Sequence, residues 1–173
     1  MTISTVRTVC LNLDLDRRCS ATKSNDPSYE TTLELDSHAD TCVIGRHALI
    51  ILDHNRPVTV VGYDESLGSK TYKTVSGVVA YTDPKTGRTL HLIIHQAIHV
   101  PHLDHHLLCP MQCRVNDVIV DETPKFLAPQ PTDQTHALTV ADPHDPSQTL
   151  TMPLLLRGVT SLLYVKNVTA DDF

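Results

Sequence analysis

With 173 residues, the chain is long enough for one domain with extensions and too short for two comfortable ones. A formal charge of −6 without a basic run argues against nucleic acid as a partner, and no apolar run approaches the roughly 18 residues that cross a bilayer. Five cysteines, an odd number, behind an amino terminus without a charged-then-apolar secretory pattern point to free thiols in a reducing, cytoplasmic compartment.

The core must come from Val, Ile and Leu, because there are 2 Phe, 5 Tyr and no Trp, and that β-branched bias favours strands. Residues 1–28 read as an N-terminal arm and linker, with one edge-strand alternation at Leu11, Leu13 and Leu15. The run Leu33-Glu34-Leu35-Asp36-Ser37-His38-Ala39-Asp40-Thr41-Cys42-Val43-Ile44-Gly45 reads as strand, tight polar loop, strand. Residues 53–57 predict a turn and residues 58–61 a strand. Gly62-Tyr63-Asp64-Glu65-Ser66-Leu67-Gly68 reads as a mobile hairpin tip. Residues 75–81 and 90–94 predict strands joined by the turn Asp83-Pro84-Lys85-Thr86-Gly87, and 97–100 runs apolar into Pro101. Pro110 can open one short helical turn. Further strands are predicted at 118–120, 137–140, 150–156 and 162–165, with Pro- and Asp-rich loops between the first three. The expected class is mainly β.

Asp36 stands at a corner where backbone N–H groups can hold a carboxylate and aim it into a cleft. It also reads as an ordinary turn cap, Asp40 as a solvated loop carboxylate, Ser37 as a local cap and the 62–68 tip as a plain hairpin. His91, His95 and His99 recur every four residues, but Leu92-Ile93-Ile94 reads as strand and no Glu follows to make a zinc-protease signature. Cys42 and Cys109 read as small packed hydrophobes. The chain lacks a serine nucleophile elbow and a phosphate-binding glycine loop.

The loop at residues 36–42, followed by Val100-Pro101-His102-Leu103 and then His106-Leu107-Leu108-Cys109, resembles the protease region of copia-type retrotransposon polyproteins. Aspartic proteases carry Asp-Ser/Thr-Gly-Ala/Ser after an apolar strand; here His38 stands where that family has Gly. The resemblance covers residues 30–115 and divides the chain into a 29–115 retropepsin-like core and a 116–173 C-terminal β extension. It implies a closed acid-protease barrel, one lobe per chain, active as a homodimer without metal or cofactor. It further implies cleavage of a retroelement polyprotein, in the cytoplasm or in virus-like particles, with neither nucleic acid nor membrane as partner. By position, Asp36 matches the catalytic carboxylate and Ser37, His38 and Ala39 the active-site loop. Asp40, Gly62 and Tyr63 match substrate-binding positions, and Leu107, Leu108 and Cys109 the segment that supports the loop. One chain carries one such Asp, so its twin must come from a second copy. An inactive relative kept for dimerisation or peptide binding is the alternative, and a His-based metal-binding domain a third.

Overall fold

The computed structural model describes residues 6–7, 31–62, 66, 68–142, 145 and 147–172. The alternation at Leu11, Leu13 and Leu15, Tyr63 and most of the 62–68 tip lie outside the described residues. The protein is mainly β. Among the described residues, nine strands form one sheet: β1 (Val6–Arg7), β2 (Thr31–Leu35), β3 (Val43–Ile44), β4 (Leu49–Val61), β5 (Ser69–Thr82), β6 (Thr89–His99), β7 (His106–Leu108), β11 (Leu155–Arg157) and β12 (Thr160–Val165). Their order is β1-β4-β5-β6-β3-β7-β2-β12-β11. A second sheet of three carries β8 (Ile119–Asp121), β9 (Ala137–Ala141) and β10 (Thr149–Pro153). The one helix described, α1 (Pro110–Arg114), has Pro at its start and Cys109 as its cap, whose sulfur accepts the Gln112 N–H.

Strand β5 is buried continuously from Thr74 to Tyr81, whereas its two neighbours β4 and β6 alternate or stay half-exposed. One core joins both sheets: Leu33, Ile44, Val79 and Leu163 of the large sheet pack with Val120, Leu138 and Met152 of the small one. The segment after residue 115 therefore shares the core of the segment before it, and β12 lies directly beside β2, with Leu162 opposite Glu34.

The expected closed barrel is not seen among the described residues. The large sheet instead curls. A single antiparallel bridge ties Ala80 of β5 to Lys166 beyond β12, with reciprocal bonds of 3.0 and 2.8 Å. The chain leaves this line at once, so no ladder extends from the bridge to close a circuit.

The turn predicted at 53–57 is also corrected. Those residues lie inside β4 as a bulge: Asp53 pairs with Val75 and Arg56 with Thr74, leaving His54 and Asn55 without counterparts. Asn55 takes a φ of 52°, so the turn-forming residues bend the strand without reversing it. A matching bulge in β6, with Gln96 at φ 54°, merges the two short runs at 90–94 and 97–100 into one strand. The two bulges converge on Ser76. His54 Nε2 lies 2.9 Å and His95 Nδ1 3.1 Å from its fully buried hydroxyl.

Candidate active site

The loop at residues 36–42 leaves β2 and returns in β3, and β7 runs between those two strands. Leu35 of β2 is parallel to Leu108, and Val43 of β3 is antiparallel to Leu107. Nothing else in the large sheet separates the two arms of the loop. Leu33, Leu35 and Ile44 enter this strand–loop–strand because their side chains fill the core below it.

Asp36 sits at the corner. Its N–H donates to Leu108 O at 3.0 Å, which fixes the backbone against β7. Its Oδ1 accepts the His38 N–H at 3.0 Å, and its carbonyl accepts the Ala39 N–H at 3.2 Å. The carboxylate is thus held by its own loop, as an Asx turn holds one, while its side chain stays 21% exposed. Ala39 is buried and anchors the loop to the core, whereas Ser37, His38 and Asp40 face outward. Ser37 Oγ lies 3.4 Å from His38 Nδ1, and that nitrogen lies 4.0 Å from Asp36 Oδ1.

Cys109 fits the bend after β7. Its N–H donates to Cys42 Sγ at 3.3 Å, and its own sulfur caps α1 through the Gln112 N–H at 3.4 Å. Cys42, Cys109 and Cys113 are all buried free thiols. The Cys113 thiol beside it, together with burial, pushes the Cys42 thiol far above its ordinary range, so Cys42 is no thiolate nucleophile. Gly62 lies elsewhere in the large sheet, past the end of β4, where its N–H meets Gly68 O at 3.4 Å across the base of the tip. In sheet order, β5, β6, β3 and β7 lie between that strand and β2. Among the described residues, no group of three or more His, Cys, Asp and Glu side chains is placed to hold a metal ion, and no helix is long and apolar enough to cross a membrane.

Three residues beneath the loop carry roles that their sequence context does not announce. Gly45 ends β3 so close to the 103–105 segment that an added Cβ would collide with the carbonyl oxygens of Leu103 and His105. His106 is fully buried in β7 and accepts the Gly45 N–H at Nδ1, 3.1 Å away. Its Nε2 finds no partner in hydrogen-bonding geometry. Burial pushes its pKa down to about 3, helped by His47 and His105, although the nearby His47 backbone offsets part of the shift. Gln112 of α1 accepts from Cys42 N at 2.8 Å and from Thr41 Oγ at 3.0 Å. The only signal in sequence is the proximity of His106 and Gln112 to the Leu107-Leu108-Cys109 segment. Their partners lie about 60 to 70 residues away along the chain.

Comparison with protein-family models, with curated proteins and with solved structures finds no match to this chain.

Proposed function

We propose that this chain is one half of a retropepsin-like aspartic endopeptidase that cleaves an extended peptide, with a retroelement polyprotein as its natural substrate. The observation that carries this reading is the setting of Asp36. An outward-facing carboxylate stands on a loop whose two arms are clamped on either side of β7, and its amide is tied to that strand. In a homodimer, Asp36 and Asp36 of the partner subunit would face each other across the two-fold axis. Two adjacent carboxylates share one proton, because like charges this close cannot both ionise, and aspartic proteases as a class work this way. The ionised member takes a proton from water as it attacks the peptide carbonyl. The protonated member donates to the carbonyl oxygen; as the C–N bond breaks, the first member passes the proton taken from water to the leaving amine, and the second recovers its own from the tetrahedral diol. Neither a metal nor a covalent intermediate enters this scheme.

The test is digestion of a mixed peptide library by the full chain, followed by mass spectrometry. Cleavage that is blocked by pepstatin and falls at least about a thousandfold in Asp36→Asn is the expected result. Cleavage that survives Asp36→Asn sinks the reading. A second reading, an inactive dimer that binds peptide, draws on the His38 ring standing 4.0 Å from Asp36 Oδ1, where the family has no side chain. It is distinguished by peptide binding without product.

A further inference from the structure

Resting on the protease reading, we infer that Gln112 is a positioning residue: it holds the return leg of the loop, residues 40–42, in the conformation the peptide-binding rim requires, and so sets substrate affinity. The carboxamide is used at both ends. Oε1 accepts the Cys42 N–H at 2.8 Å and the Thr41 hydroxyl at 3.0 Å, while Nε2 donates to His95 O at 2.9 Å. The amide orientation follows from its partners, since an N–H can only donate and a carbonyl can only accept.

Each anchor of this clasp is itself fixed. Gln112 lies in the short helix opened by Pro110, and its own carbonyl accepts the Asn116 side chain at 2.8 Å. The His95 carbonyl is free to face it because β6 bulges there, and the next carbonyl, Gln96 O, lies 3.4 Å from Thr41 Oγ. Behind the bulge, the His95 ring is tied through Ser76 to His54 of β4. This side chain therefore ties the loop to β6 alongside the backbone bond from the Ile98 N–H to Cys42 O at 2.9 Å. Asp40, the carboxylate assigned to the peptide backbone, immediately precedes Thr41 in the sequence. Asp36 is held separately through Leu108 O, so loss of the clasp displaces the rim and leaves the catalytic corner in place.

The experiment compares the full chain with Gln112→Ala and Gln112→Glu on the peptide cleaved fastest from the mixed library. Exchange of the Cys42 amide is followed by NMR in parallel. Gln112→Glu keeps both acceptor bonds but sets a carboxylate oxygen against His95 O where the N–H had donated. Expected are a rise in KM of about tenfold with kcat within about threefold for Gln112→Ala and faster exchange of the Cys42 amide, and, in Gln112→Glu, recovery of the amide protection with a KM between those of the wild type and Gln112→Ala. An unchanged KM in Gln112→Ala overturns the inference, as does an equal fall of kcat in both variants without a rise in KM. A wild-type chain that cleaves nothing in the library overturns the protease reading and this inference with it. Unchanged KM in an active enzyme overturns this inference alone.

Discussion

His38 departs from the Gly of the resembled motif, and the structure shows how the loop takes it. The non-glycine residues with positive φ among the described residues are Asn55, Gln96, Asp117 and His136, so His38 needs no left-handed backbone. Its N–H already serves Asp36, and its side chain, 62% exposed, extends into solvent. The substitution therefore acts through charge more than through shape. A cation on the ring would stand 4.0 Å from Asp36 Oδ1. A pair of unit charges at 4 Å is worth about 1 kcal/mol in water before salt screens it, and this site is open to water. Under the proposed protease reading, His38→Gly should accordingly change the cleavage rate by a small factor, with the larger effect at low salt. A cleavage rate that His38→Gly leaves unchanged at 20 mM and at 500 mM salt, both roughly chosen to bracket the Debye length, would show that the ring does not touch the chemistry.

Among the elements, the end of β3 meets the 103–105 segment backbone to backbone. Arg46 N donates to Leu103 O at 2.9 Å, and Gly45 lets the two backbones meet where a side chain would strike two carbonyl oxygens. Backbone oxygens cannot step aside as a side chain can. Gly45→Ala should therefore cost about 3 kcal/mol in urea unfolding, at the upper end of overpacking penalties. A loss below about 1 kcal/mol would mean that the 103–105 segment yields easily. This contact also marks the limit of what the sequence makes legible. The strands β9 and β12, and the strand–loop–strand around Asp36, announce themselves because their apolar residues are contiguous or alternate locally. Asp53-His54-Asn55-Arg56-Pro57 has good turn chemistry, yet pairing along β5 on both sides of it converts the turn into a bulge. The expected closed barrel fails for the related reason that closure depends on which strand continues beyond Val165, and local pattern does not encode that. Gly45 shows only as the end of an apolar run; the carbonyls that require it lie about 60 residues further along the chain.

At the scale of the whole molecule, acid acts first on stability. His106 is buried and neutral, with a pKa pushed down to about 3, whereas the unfolded chain takes up this proton near the ordinary value of 6.5. The unfolded state therefore binds the extra proton between those values. The contribution to stability is complete above about pH 6.5 and declines as pH falls towards 3, by an amount on the order of 2 kcal/mol at pH 5. Protonation would also turn Nδ1 from acceptor to donor against the Gly45 N–H, opposing the β3–β7 junction beneath the loop. Urea unfolding at pH 7.5 and about pH 5 should show this loss in the wild type and a smaller one in His106→Asn; equal losses would place the acid sensitivity elsewhere. The proposed activity adds a dependence on assembly, because a site built from two carboxylates exists only where two chains meet. Mixing Asp36→Asn chains with wild type makes this quantitative. At a threefold excess of variant and random pairing, about one dimer in sixteen carries both carboxylates, and there are about four times as many dimers as the wild type forms alone. Activity per wild-type chain should fall to about a quarter, whereas chains that work independently would keep all of it. Full activity after verified subunit exchange would place the reacting groups within one chain and rule out the paired Asp36 mechanism.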